Sequence, residues 1–292
     1  MKTPEIRPGP TLHLTLLRFN LHHLSLLACL LLATGAIFLG WSWWLSAPLI
    51  VILVLLVTDA IARPGSSLFY PTVSHGPRGD MRVALSFDDG PDPVVTPEVL
   101  EALKEYGAKA TFFVIGRALD RYPELGRRMA AEGHAIGNHS WQHSRFQNFR
   151  LAAWHGAELA RGEASIIAVT GGGPVPYRPP VGLKSGELAQ AAWRRRMPAM
   201  VAWSLHSRDT RLSDPERIAR RVLMHVRGGD IILMHDGHDL PGRTRPVCAP
   251  ALRLILAGLS ERGFRCVTVP ELLGWGRVLG PPPMPARRDA IT

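Results

Sequence analysis

The 292 residues carry 34 basic against 24 acidic side chains, a formal charge of +10, with 28 Gly and 25 Pro spread along the whole chain. That length holds one barrel-sized domain, or a smaller domain plus appendages, and turn formers without a repeat exclude collagen-like and low-complexity architectures. The excess of Arg suits an anionic membrane surface or nucleic acid, but no zinc finger, helix-turn-helix or aromatic-basic pattern accompanies it, so nucleic acid is the weaker partner.

Residues 1–20 form a polar segment containing Lys2, Arg7 and Arg18. From Leu24 to Thr58 there is no charged residue, and one straight helix over that run would reach roughly 50 Å, well beyond the ~30 Å apolar core of a bilayer. Pro48 and the Trp41-Ser42-Trp43-Trp44 cluster fall mid-run, where a turn and an interface belt are expected. The run therefore reads as a two-span membrane hairpin within 21–62, with spans near 21–40 and 46–62. It is too long for a signal peptide, and a second apolar block follows the first. Arg7, Arg18, Arg63, Arg78 and Arg82 flank its outer ends and none lies in the connecting loop, which favours the cytoplasmic face of a bacterial inner membrane for the rest of the chain. A second segment lying in the interface would instead put the domain outside.

Residues 63–79 read as a linker, rich in Gly, Pro and Ser. From 80 to 276, strand-like stretches at 82–87, 110–115, 134–137, 175–178, 199–204, 230–234 and 265–269 alternate with helical ones near 96–106, 121–132, 150–169, 184–196, 214–227 and 247–262. Ser213-Asp214-Pro215-Glu216 has the capping-box spacing, and Ile218, Val222 and Val226 recur at helical period as a core-facing stripe. Seven such repeats predict an α/β fold, a barrel-like parallel sheet wrapped in helices, whose chemistry collects at the C-terminal ends of the strands. The tail 277–292, with Pro281-Pro282-Pro283 and Arg287-Arg288, has no periodicity and reads as disordered. Cys29, Cys248 and Cys266 have no metal-site spacing and read as packing residues.

Polar residues unusual for a core follow the strand ends. Asp88 and Asp89 end the first, ahead of the Gly90-Pro91 turn. Adjacent carboxylates there need a cation, an Arg or a proton nearby, unless they simply cap the next helix. His139 and His143, four apart after the third strand, could point the same way from one helical turn. With one Asp they make a two-His-one-carboxylate set that leaves positions open on a divalent ion. Arg178 to Gly182 follow the fourth strand, Trp203 to Asp209 the fifth, and His235 and Asp236 the sixth.

The ordered set Ser-Phe-Asp-Asp-Gly-Pro, His-Ser-x-x-His, Arg-Pro-Pro-x-Gly, Trp-x5-Asp and Leu-x-His resembles the five motifs of the polysaccharide deacetylase family, also called carbohydrate esterase family 4 or nodulation-protein-B-like domains. The resemblance covers about residues 80–275. It implies a distorted, incomplete (β/α)7 barrel that hydrolyses N-acyl groups on sugars with a bound divalent metal, zinc first and cobalt, nickel or iron as alternatives. Carried over by motif, Asp89, His139 and His143 hold the metal, Asp88 is the general base and His235 the general acid. Arg178 keeps Asp88 ionised, Asp209 orients His235, and the backbone N–H of Val181 serves the oxyanion. Pro179, Pro180 and Trp203 join Val181 as substrate-binding positions. The chain departs from the motifs at His206, where an Asp is usual, and at Val181 and Thr210, where aromatics are usual, which points away from a long glycan. His134, His225 and His238 carry no motif and read as structural, and Asp92 reads as a helix-entry residue.

The expected activity is amide hydrolysis on an N-acetyl or N-formyl amino sugar. On the cytoplasmic face a lipid-linked sugar, of the undecaprenyl-phosphate kind that one branch of the family deformylates, is the attractive substrate. A cell-wall or exported polysaccharide is the alternative for the outer face, and a non-catalytic sugar-binding role is the other alternative.

Overall fold

The computed structural model describes residues 27, 30–32, 34–40, 43–172, 175–240 and 242–275. The expected polar segment 1–20, much of the first expected span and the tail 277–292 lie outside them. Among the described residues no helix is long and apolar enough to cross a membrane, so the expectation of two spans finds no support there. A turn at Leu39–Gly40, with Gly40 at φ 68, precedes helix α1 at Trp43–Ala62. Trp43 and Trp44 thus start a helix, where a connecting loop was expected, and Pro48 lies within its first two turns. Proline at this sixth position has no N–H to donate to the Trp44 carbonyl, so α1 forgoes one intrahelical hydrogen bond there.

The 63–79 stretch is not a free linker. Leu68 and Tyr70 are buried, the Tyr70 hydroxyl donates to the Met197 carbonyl, and a two-residue strand β1 (Thr72–Val73) pairs in parallel with β5 (Met200–Val201). Two paired residues are too few to leave a period-2 signature among Pro and Gly, so the sequence shows only punctuation.

The remaining strands are β2 (Arg82–Asp88), β3 (Ala110–Val114), β4 (Ala135–Asn138), β6 (Leu205–His206), β7 (Ile231–His235) and β8 (Arg265–Cys266). They run in parallel in the order β4-β3-β2-β7-β6, and β8 pairs with the start of β2. Tyr177 bridges β4 to β5 through Asn138 and Met200, carrying the curve round toward β6, just beyond β5 in the chain. The expected strand 175–178 is reduced to this bridge because Pro176 and Pro179 have no N–H to donate to a ladder. The result is the expected α/β fold, a curved parallel sheet wrapped in helices.

Helices α2 (Val95–Glu105), α3 (Gly116–Arg121), α4 (Pro123–Ala131), α5 (Ala152–Thr170), α6 (Gly186–Arg194), α7 (Pro215–His225), α8 (Cys248–Glu261) and the short α9 (Val269–Leu272) pack around it. The helix expected over 121–132 is α4, started by Pro123 where its fixed φ is favourable, and the short α3 before it was not expected. The cap of α7 is Asp214, whose carboxylate accepts from the Glu216 N–H at 3.0 Å, and not Ser213 as the capping-box spacing suggested.

The pleat of β2 and β7 sorts residues onto two faces. Leu85, Phe87, Ile232 and Met234 point outward into the main apolar core with Val99, Leu103, Ile218, Val222, Leu252 and Ile255 from the helices. Ala84 and Ile231 lie in a second, inner cluster with Phe113, Val201 and Val267. Burying each such side chain is worth roughly 1.5–3 kcal/mol, so both faces of the sheet are stabilised and the strand ends are held on a rigid floor. Asp88 is paired in register with His235, which brings the two residues to one level at the end of the sheet.

Candidate active site

Asp88, Asp89, His139, His143, Val181, Trp203, His206 and His235 line one cavity of about 680 Å³, at the strand ends as expected. Pro179 and Pro180 do not line it. Both are buried, and the Pro180 carbonyl accepts from Gln147 Nε2 at 3.0 Å, so they shape the wall from behind instead of meeting a substrate.

The backbone breaks from regular conformation where the ligand-type residues sit. Asp89 (φ 72), Ser140 (φ 65) and His143 (φ 53) are all left-handed, a conformation that costs an L residue about 1–2 kcal/mol and is retained where the surroundings impose it. His139 and His143 therefore converge from a tight turn and not from one helical turn. The turn is held by the buried Glu158, whose Oε2 accepts from the N–H groups of Trp141 (3.2 Å) and Gln142 (2.9 Å), and by Ser140 Oγ accepting from the His143 N–H at 2.9 Å.

His143 Nε2 is 3.3 Å and His139 Nε2 3.7 Å from Asp89 Oδ1. One ligand atom from each of the three residues lies within 4.8 Å of the others. Asp89 Oδ1 is buried without a hydrogen-bond partner, a costly state for a carboxylate oxygen unless a cation meets it. His139 Nδ1 is 2.8 Å from the Arg178 carbonyl. That contact makes Nδ1 the donor and leaves Nε2 as a free lone pair facing Asp89. Burial, with His139 close by, lowers the His143 pKa to about 4, so this imidazole is neutral and able to ligate. Two nitrogens and a carboxylate oxygen fit a divalent transition ion such as zinc.

Asp88 is buried beside this set. Burial, the largest influence, would raise its pKa, but Arg178, His139 and His235 together hold it below the usual carboxylate range. Arg178 is fully buried. It donates to Asp88 Oδ1 (2.7 Å), Ser86 Oγ (2.9 Å) and the Ala202 carbonyl (3.1 Å), and its guanidinium lies 4.0 Å above the Phe113 ring. Asp209 takes the His235 Nδ1–H at 3.0 Å on one oxygen and the His235 backbone N–H at 2.7 Å on the other. Burial would depress the His235 pKa, but Asp209 outweighs it and raises it to about 9. Asp88 is thus ionised and His235 protonated at neutral pH, on adjacent strands.

Val181, with φ 59, lines the cavity and is 58% exposed. Gly182 beside it has φ 72, and a Cβ there would stand 2.6 Å from the Trp203 ring, so only glycine lets the loop lie against the indole. Among the remaining histidines, His206 sits on the cavity rim, its Nδ1 accepting from the Arg208 N–H at 2.9 Å. His134 is buried and accepts from the Ala110 N–H, and Asp92 accepts from the Val94 and Val95 N–H groups as a helix-entry residue.

Sequence reasoning missed four contributors. Asp239 stands 3.8 Å from His143 Nδ1 and is clamped by both Arg145 nitrogens at 2.6 and 3.0 Å. Arg245 comes within 4.0 Å of Asp89, and Glu158 props the histidine turn. A cue existed only for Asp239, as a third carboxylate three residues past Asp236.

The pattern of the polysaccharide deacetylase family matches residues 75–198. The chitooligosaccharide deacetylase of Bradyrhizobium sp. (strain ANU 289) is 35% identical over 66% of this chain and 91% of its own length. The peptidoglycan-N-acetylglucosamine deacetylase PgdA of Listeria monocytogenes is 32% identical over 72% of this chain, which spans 42% of that relative's length. A crystal structure of a peptidoglycan N-acetylglucosamine deacetylase superposes with a TM-score of 0.64 at 31% identity, over 70% of this chain and 92% of the other. Because a relative above 30% identity is covered over nine-tenths of its length, and the family match takes in both adjacent carboxylates and both histidines of the cavity, the chain belongs to the polysaccharide deacetylase family.

Proposed function

We propose that this chain is a metal-dependent amide hydrolase that removes an N-acyl group, acetyl or formyl, from an amino sugar. The observation that carries the reading is the convergence of Asp89, His139 and His143 in the cavity that also holds the ionised Asp88 and the protonated His235. Asp89, His139 and His143 would hold the ion, with zinc best suited to the donors. A divalent ion there supplies Lewis acidity, polarising the amide carbonyl and making water a better nucleophile.

The other steps belong to the chain's own groups. Asp88 accepts the proton of the attacking water, and Arg178 keeps it ionised until then. His235 donates its Nε2 proton to the departing nitrogen, which leaves poorly as an anion. Asp209 fixes the tautomer and stabilises the imidazolium, as the carboxylate does in a Ser-His-Asp triad. The Val181 N–H serves the oxygen that gains charge. Zinc-loaded protein releases acetate or formate from N-acyl amino sugars in this reading, and Asp88→Asn and His235→Ala each lower kcat by about 10²–10⁴-fold, typical of lost acid–base groups. Full activity in both variants would sink it.

The membrane belongs to the same reading. Ile50, Val51, Ile52, Val54 and Leu55 of α1 are 41–62% exposed, an apolar surface suited to lipid. The flanking Arg residues favour the cytoplasmic face of a bacterial inner membrane, where a lipid-linked amino sugar is the accessible substrate. A reporter fused to the C-terminus tests this. An external reporter would redirect the substrate to cell-wall or exported polysaccharide.

A further inference from the structure

Five arginines, Arg145, Arg208, Arg211, Arg221 and Arg245, line the cavity that holds the catalytic groups. Two of them are engaged inside the protein. Arg145 is clamped on Asp239, and Arg245 donates to the Gly237 carbonyl at 2.8 Å while facing Asp89. The three acidic residues of the lining, Asp88, Asp89 and Asp239, are likewise accounted for by Arg178, the cation site and Arg145. That leaves Arg208, Arg211 and Arg221. Among the described residues neither Arg208 nor Arg211 has an ion pair, and Arg221 spends its Nε on the His206 carbonyl at 3.0 Å, leaving its two terminal nitrogens free of acidic partners.

Their placement is built and not incidental. Arg208 has a left-handed backbone (φ 66). Its N–H donates to His206 Nδ1, and its carbonyl accepts from the N–H groups of Arg211 (3.0 Å) and Leu212 (2.9 Å). The Arg221 bond to His206 then ties α7 to the same turn. Three like charges gathered around one concavity repel one another unless an anion joins them. Guanidinium groups match phosphate and carboxylate oxygens in paired, charge-assisted bonds. A neutral N-acetylated oligosaccharide would leave all three charges uncompensated.

We propose that Arg208, Arg211 and Arg221 form a specificity site for an anionic group, phosphate or carboxylate, carried by the substrate beside the N-acyl sugar; this rests on the amide-hydrolase reading above. The test compares full-length, zinc-loaded wild type with the Arg208→Gln/Arg211→Gln double variant. Three probes are used: N-acetylglucosamine 1-phosphate, N-acetylmuramic acid and neutral chitotetraose. Wild type should favour an anionic probe by at least tenfold in kcat/KM. The double variant should lose at least tenfold of that preference through KM, and added salt should erode it. Preference for the sugar phosphate would assign a phosphate source, and preference for the muramic acid a carboxylate. An unchanged ratio in the double variant overturns the proposal while leaving the hydrolase reading intact. Should wild type turn over no probe, hydrolysis of soluble N-acetyl sugars is excluded, and calorimetry decides the anion site by itself. Sugar-phosphate binding at least tenfold weaker in the double variant supports the site, and equal binding refutes it.

Discussion

Proton placement at single residues governs the pH behaviour expected of this site. Asp209 raises the His235 pKa to about 9 from an ordinary value near 6.5. With the folded value above the unfolded one, the pair's contribution to stability is complete below about 6.5 and disappears as pH rises through about 9. Asp209→Asn should therefore move the alkaline limb of the kcat/KM profile down by more than one pH unit, as a pH–rate series would show. An unmoved limb would separate His235 from the proton donor's role. Glu158 invites a second substitution. Glu158→Ala leaves the Trp141 and Gln142 N–H groups unpaired and frees the turn bearing His143, so zinc affinity should fall about 10–100-fold in a chelator competition. Glu158→Gln keeps an acceptor oxygen and should largely restore it. The carboxylates and histidines that converge in the cavity were legible from the sequence because such residues at strand ends are unusual in a core. Glu158, Arg145 and Arg245 were not, because they act from a helix interior and from loops where neither periodicity nor spacing marks them.

Among the elements, legibility followed length. The strands at 82–88 and 231–235 and the helices at 152–170 and 248–261 lie within about two residues of their expected bounds, since each carries several turns or alternations. Thr72–Val73 was read as linker, and the stretch before Arg178 as a full strand, because proline and brevity erase the pattern on which such readings depend. The most consequential element is α1, whose seating depends on a buried lysine. Lys184 Nζ donates to the carbonyls of Arg63 (3.0 Å) and Pro64 (2.6 Å) just beyond the helix, and the Lys184 N–H donates to the Ile61 carbonyl. The Ile61 carbonyl would otherwise be an orphan of the helix C-terminus, the Arg63 carbonyl also takes the Ser66 N–H at 3.0 Å, and burial lowers the Lys184 pKa to about 8. Lys184→Met should let chymotrypsin cut between α1 and β1 at least several-fold faster, while hydrolysis of a soluble amino sugar is retained. Unchanged cleavage would show that α1 is held by other contacts.

For the molecule as a whole, the parallel α/β fold was predictable because strand-like and helical stretches alternate along the chain, whereas the expected membrane hairpin rested only on a run of apolar residues and finds no spanning helix among the described residues. The assembled cation site couples to global stability. An ion that binds the folded chain alone stabilises it by roughly 2.7 kcal/mol at a hundredfold excess over Kd, so chelation should lower Tm by several degrees, and zinc should restore both Tm and activity. The same treatment of an Asp89→Ala variant should leave Tm unmoved. One further property follows from Asp88 and His235 being partners on neighbouring parallel strands. The separation of the two backbones that carry the proposed proton acceptor and donor is then set by the hydrogen-bonded spacing of the sheet, about 4.7–4.9 Å between strands, and not by a hinge or a flexible loop. The surrounding loops can diverge to admit new sugars without retuning that gap, which makes this scaffold a good starting point for redesigning what it accepts while leaving the chemistry untouched.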